Sequence, residues 1–175
     1  MKLGSFDSLV SALHSAGVRY LVAGGLAVNA HGYLRFTRDI DIVLQLSRGN
    51  IEAAFAALAR IGYRPIVPIS AAEFADAGKR SSWEREKGMT VLNFWSEQHR
   101  DTPVDVFVTE PFDFEAEFGR ALVKPLGPVE VRFVSIPSLI RMKELAGRPQ
   151  DKIDIDFLRK LADAPKLGKD DRLEP

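Results

Sequence analysis

Cysteine is absent from all 175 residues. That excludes disulfides, thiolate nucleophiles and cysteine-type zinc sites, and it fits a reducing compartment. An excess of either charge is lacking too: 24 basic residues balance 24 acidic ones, so no global field draws the chain to nucleic acid or to a membrane surface. No apolar run approaches the roughly 20 residues that cross a bilayer. Asp7 interrupts the stretch where an apolar signal region would lie. His14, His31 and His99 show no metal-ligand spacing; His31, on the helix expected behind a glycine pair, is assigned to packing ahead of nucleotide contact. The sequence contains no Ser-His-Asp arrangement, no Walker-type phosphate loop, no internal repeat and no low-complexity segment. The expectation is a cytoplasmic protein with no membrane partner and one well-buried core.

What the chain does contain is a regular alternation of elements. Phe6, Leu9, Val10 and Leu13 recur at helical spacing, and Gly17 closes that helix. Residues 19–23 read as a strand, 25–32 as a short helix and 39–46 as a second strand. Ile51, Phe55, Leu58 and Ile61 mark an amphipathic helix closed near Gly62. Residues 63–68, with Pro65 and Pro68, suit only an edge strand, and 70–88 read as polar and irregular. Val91–Ser96, Pro103–Val108 and Val129–Val134 read as strands. Helices over Ser138–Ala146 and Gln150–Leu161 follow, separated by Gly147-Arg148-Pro149. This order predicts an α+β fold: a mixed β-sheet flanked by helices, with a helical C-terminal part at about 136–162. One domain is expected over 1–165, followed by a loose charged tail at 166–175.

The chemistry concentrates in Tyr20–Ile42. An apolar strand runs into Gly24-Gly25, a helix follows, and the next strand opens with Asp39 and Asp41. Side chains alternate along a strand, so the two acids share one face and Ile40, Ile42, Leu44 and Leu46 the other. Two carboxylates held side by side repel each other, and a hard divalent cation with a preference for oxygen ligands relieves that repulsion. Glycine permits a tight turn and close approach of a ligand, and open amides there suit phosphate. Asp105 is a lone acid in the apolar run Pro103-Val-Asp-Val-Phe-Val108, where an unpaired charge costs several kcal/mol.

The arrangement of strand, Gly-Gly turn, helix and Asp-x-Asp strand resembles the nucleotidyltransferase superfamily built on a DNA polymerase β-like core. The stretch GGLAVNAHGYLRFTRDIDIV, Gly24 to Val43, is similar to its small prokaryotic branch related to AbiEii-type toxins. The resemblance implies an enzyme that moves a nucleoside monophosphate from an NTP to a hydroxyl acceptor with pyrophosphate leaving. Two Mg²⁺ or Mn²⁺ ions are implied. Asp39 and Asp41 would hold the one that grips the triphosphate, and Asp39, Asp41 and Asp105 would share the other. Gly24 and Gly25 would contact the nucleotide through backbone, and Arg38 would hold phosphate or pair with a surface acid. Gly25 stands where members commonly carry serine, so a hydroxyl contact is absent from the turn. Acceptors in the superfamily include RNA or tRNA ends, proteins and small molecules, and the AbiEii branch implies a possible toxin or antitoxin partner.

The segment Leu139-Ile-Arg-Met-Lys143-Glu-Leu-Ala146-Gly-Arg148-Pro-Gln-Asp151-Lys-Ile-Asp154 resembles the last motif of the same superfamily. By that resemblance Lys143 meets the triphosphate and Asp154 completes the pocket. The alternative is a charged helix face with Lys143 paired to a nearby acid. Gly78–Gly88, with Trp83 among cations, is weighed as an RNA-stacking loop against a merely solvated one. Two rival functions stay open: a non-catalytic nucleotide- or partner-binding protein on the same fold, and a nuclease or phosphodiesterase using the same acids.

Overall fold

The computed structural model describes residues 2–163; the expected domain end at 165 and the charged tail at 166–175 lie outside the described residues. Within them runs a seven-stranded mixed sheet. Its strands are β1 (Tyr20–Val22), β2 (Ile40–Leu44), β3 (Arg64–Pro65), β4 (Val91–Trp95), β5 (Val104–Phe107), β6 (Leu122–Leu126) and β7 (Val129–Phe133), ordered β3-β4-β5-β2-β1-β7-β6. The β2–β5 and β1–β7 pairs are parallel and the other pairs antiparallel. Eight helices flank it: α1 (Leu3–Ser15), α2 (Gly24–Ala30), α3 (Arg48–Arg60), α4 (Ala71–Ala75), α5 (Ala77–Lys87), α6 (Phe114–Arg120), α7 (Ile136–Ala146) and α8 (Pro149–Asp163). The α+β architecture read from the sequence is the one the chain adopts. None of the described helices is long and apolar enough to cross a membrane.

Strand pleating separates a dry face from a working face. Leu92 and Phe94 of β4, Val104 and Val106 of β5 and Ile40 and Ile42 of β2 are all buried. The register stacks them side by side, with Leu92 beside Val106 beside Ile42, and Phe94 beside Val104 beside Ile40. Their alternates, Asn93 and Trp95, Asp105 and Phe107, and Asp41, point the other way and stay partly or fully exposed. α1 and α3 pack together, α2 lies against β2 and α7, and α7 and α8 form a helical hairpin.

Residues 70–88 depart from expectation: they are helical rather than irregular. Ser70 accepts from the Glu73 amide while Glu73 reaches back to the Ser70 amide, a capping box that starts α4. Asp76 caps α5, and Gly88, at φ +61°, ends it in the left-handed region. The stretch weighed as an RNA-stacking loop against a solvated one is therefore a helix. Trp83 packs toward Phe74, with ring centroids 6.5 Å apart, and Arg80 is buried with its guanidinium donating to the Phe74 carbonyl. Trp83 is half-buried against the core rather than set on an open loop. α6 and β6 were not anticipated either.

Candidate active site

The end of β1 is stitched to the acid strand. The Ala23 amide donates to the Asp41 carbonyl at 2.8 Å, and the next residue, Gly24, turns at φ +57° into α2. A Cβ on Gly24 would overlap the Asp41 carboxylate. Only glycine satisfies both demands, the positive φ and the close approach. Glycine turn and acid thus lie in direct contact.

Gly25 is crowded from the other side. A Cβ there would stand 2.6 Å from Thr37 Oγ1, 2.8 Å from Thr37 Cβ and 3.0 Å from an Arg35 guanidinium nitrogen. The hydroxyl missing from the turn is thus matched by one brought alongside it on the α2–β2 loop. That loop is pinned by Asn29, whose amide donates to the Arg35 carbonyl at 2.9 Å and accepts from the Arg35 amide at 3.0 Å.

Three acids gather at the strand starts. Asp39 lies one residue before β2 rather than inside it. Asp41 and Asp105 are direct neighbours across the parallel β2–β5 pair, and Asn93 on β4 donates to Asp105 Oδ1 at 2.7 Å. Burial first, then repulsion from Asp105 and Asp39, pushes the Asp41 carboxyl up to about 6 from its ordinary 3.8, against the pull of Lys143 and Arg148. Asp105 is also raised, by burial and by Asp39, while the Asn93 hydrogen bond and Arg148 act to lower it. These carboxylates are short of positive charge.

That shortage fits a hard divalent cation: the donors are carboxylate oxygens whose ionised forms an ion would stabilise. Among the described residues, no three Asp, Glu or His side chains converge closely enough to hold one ion as they stand. The donor chemistry suits a metal.

Lys143 and Asp154 sit in a different setting. Lys143 Nζ lies 2.6 Å from Asp154 Oδ2 and 3.1 Å from Asp151 Oδ1, with the lysine and Asp154 both buried. Asp154 also receives Arg35 Nη2 at 2.9 Å and Gln150 Nε2 at 3.1 Å. Burial opposes its charge, but hydrogen bonds from Lys143, Gln150 and Arg35 prevail and hold its carboxyl below the ordinary value. Asp151 Oδ2 accepts from the Arg148 amide at 3.1 Å. Arg38 is exposed, and its charge reaches Asp101.

The sequence reading singled out neither Arg35 nor Arg148 as a site residue, although both lie inside the motifs that drew attention. The histidines are tied into packing at two of three positions: His31 Nε2 pairs with the Val134 carbonyl at 2.9 Å, and His99 Nδ1 with Ser5 Oγ at 3.0 Å.

No family model and no curated protein matches the chain. Solved structures do. The lincosamide antibiotic adenylyltransferase LnuA, solved with lincomycin bound, aligns over 92% of this chain and 98% of its own, with a TM-score of 0.56 at 14% identity. The chain has a nucleotidyltransferase-like fold. ANT(2'')-Ia in complex with adenylyl-2''-tobramycin covers 91% of this chain and 87% of its own, with a TM-score of 0.55 at 14% identity. An antigenic nucleotidyltransferase-like protein from Paracoccidioides brasiliensis aligns over 89% and 73%, with a TM-score of 0.50 at 16% identity. Identities this low speak to fold, and chemistry must be argued from the residues.

Proposed function

We propose that the protein is a metal-dependent nucleotidyltransferase that moves a nucleoside monophosphate from an NTP to a hydroxyl acceptor. One observation carries the reading: the glycine turn touches the acid pair, with Gly24 against Asp41 and Asp41 beside Asp105. Backbone that admits phosphate and carboxylates that call for cations occupy the same few ångströms.

Asp39, Asp41 and Asp105 would hold two Mg²⁺ or Mn²⁺ ions, which neutralise charge on the entering and leaving oxygens of an in-line displacement. The chain's own part is positioning. The Gly24–Gly25 backbone lets phosphate approach, Asn93 fixes the orientation of Asp105, and Arg38 offers an exposed positive charge. Asp105, held by Asn93 on the strand beside the turn-bound Asp41, would take the acceptor hydroxyl proton or orient the hydroxyl for attack.

For the acceptor, fold neighbours solved with lincomycin and with adenylyl-2''-tobramycin put a small hydroxylated molecule first. RNA or tRNA ends and protein hydroxyls follow from the AbiEii-like stretch, as does a toxin or antitoxin partner. A second reading, a non-catalytic nucleotide- or partner-binding protein, is favoured by one fact: no three described acids converge to hold an ion as they stand.

The test offers the purified chain each of the four α-phosphate-labelled NTPs with Mn²⁺, and as acceptors tRNA, cell protein and a panel of hydroxylated antibiotics. Label transferred by wild type and lost by more than about a hundredfold in Asp41→Ala and Asp105→Ala supports the enzyme. Metal-dependent NTP binding without transfer to any acceptor supports the binding protein.

A further inference from the structure

A cavity of about 370 Å³ opens where β2 and β5 end and α5 begins. Gln45 and Thr109 at its edge follow Asp41 and Asp105 along the two strands, roughly 13 Å further on at about 3.3 Å per residue. The space is therefore separate from the contact between the glycine turn and the acids.

A cation lines this cavity without a counter-ion. Arg80 is only 7% exposed. One guanidinium nitrogen donates to the Phe74 carbonyl, and the guanidinium carbon lies 5.8 Å from the centroid of the Phe74 ring. Among the described residues, no carboxylate forms an ion pair with Arg80. The two acids whose charge reaches it are engaged by backbone amides: Glu110 accepts from Leu46 at 2.9 Å, and Asp76 from Lys79 at 3.0 Å. Among the described residues, the sealed side-chain atoms that lack a partner are on Tyr20, Arg35, Ser96 and Ser135. The rest of the Arg80 guanidinium therefore reaches accessible space, and the space it lines is this cavity. A buried cation in that state is unfavourable, and a carbonyl and a ring face stabilise it only in part.

We infer that this cavity is a second binding site, for a small organic acid whose carboxylate or phosphate group pairs with Arg80. The inference stands apart from the transferase reading. A planar guanidinium grips two oxygens of either group at once. Ser47, Ser81 and Thr109 line the same space and carry hydroxyls able to donate to an oxyanion. Leu46 and Val108 give an organic body an apolar wall. The volume falls within the range of about 300–1,000 Å³ that ligand pockets occupy, more than a bare ion fills. Glu110, exposed at the rim, works against any anion and fixes the sign of one test.

The experiment is an NMR titration of the full ¹⁵N-labelled chain, without divalent ions, using benzoate, phenyl phosphate and neutral benzyl alcohol as probes. Saturating amide shifts at Ser47, Ser81 and Thr109 are expected with at least one of the two acids and not with benzyl alcohol. The tighter of the two identifies the group as carboxylate or phosphate. Arg80→Met should weaken that acid by roughly tenfold or more, and Arg80→Lys should recover part of the loss. Glu110→Gln keeps an acceptor for the Leu46 amide but removes the opposing charge, so it should tighten binding by roughly threefold.

No shift with either acid overturns the inference, as do shifts confined to Gly24 and Gly25 or equal shifts with benzyl alcohol. An affinity that Arg80→Met leaves unchanged overturns it too. Should Arg80→Met fail to fold, Glu110→Gln decides, and weaker binding in that variant overturns the site. None of these results touches the transferase reading. A chain that binds the acid at this cavity but no NTP with Mn²⁺ keeps the inference and removes that reading.

Discussion

The molecule holds two clusters of aspartates that look alike in sequence and differ in charge balance. Asp41 and Asp105 are neighbours in register across β2 and β5, and both carboxyls are raised, first by burial and then by repulsion, from Asp105 and Asp39 at Asp41 and from Asp39 at Asp105. Asp151 and Asp154 are more deeply buried, yet they are threaded on Lys143, Arg35 and Gln150, and the Asp154 carboxyl is lowered. A satisfied cluster is architecture. An unsatisfied one is strained in a way that a cation would relieve, and perturbed carboxylates of that kind mark sites.

The largest effect expected from breaking this contrast lies in the satisfied cluster. Lys143→Met should destabilise the fold by about 3–5 kcal/mol, because it strands buried carboxylates without their counter-ion. Lys143→Met combined with Asp154→Leu should regain much of that loss in urea denaturation. Equal stability of the single variant and wild type would show the pair to be dispensable.

The opposite sign is expected in the unsatisfied cluster. Asp41→Asn should raise stability at pH 7.5 by about 2–3 kcal/mol in the absence of divalent ions. It should also abolish the stabilisation that Mn²⁺ gives the wild type. A loss of stability in Asp41→Asn would mean that its charge is compensated after all.

The two clusters also predict opposite slopes with pH. Asp41 binds its proton more tightly in the folded chain, so its contribution to stability falls as pH rises from about 4 to about 6, then levels off. Asp154 binds its proton less tightly when folded, so its contribution is present above the ordinary carboxylate range and fades as pH falls through and below it. Denaturation midpoints measured from pH 3 to 8 in wild type and Asp41→Asn should differ by a step confined to the window from about 4 to about 6.

Gly24→Ala sharpens the comparison from the backbone side. A positive φ costs a non-glycine residue about 1–2 kcal/mol, and here the new methyl also displaces the Asp41 carboxylate. Nucleotide and Mn²⁺ affinity should both fall, whereas the α7–α8 network should keep its contribution to the melting curve.

Much of this was readable in the chain and some was not. β1, α2, β2 and β5 announce themselves because apolar alternation and a Gly-Gly turn are local signals. The adjacency of Asp41 and Asp105 is a property of parallel pairing between strands 64 positions apart, and spacing along the chain does not encode it. α5 escaped notice because its composition is polar nearly all round, although Ser70 with Glu73 and Asp76 supplied readable start signals. β6 carries Pro125 at the edge of the sheet, where a missing donor does no harm but lowers the strand signal. The sequence left Lys143 open between triphosphate and a nearby acid for a related reason: whether a lysine faces a ligand or an aspartate depends on how α7 and α8 close on each other, and here they bring it to Asp151 and Asp154.

The crowding over Gly25 bears on how this sequence can change. Serine at that position would collide with Thr37 and Arg35 as they now lie. A side chain at position 25 therefore requires Thr37 to shift and presses on the Arg35 guanidinium that bonds Asp154. Positions 25, 35 and 37 are coupled in this way, and a library that varies all three together should recover more folded variants than one that varies position 25 alone.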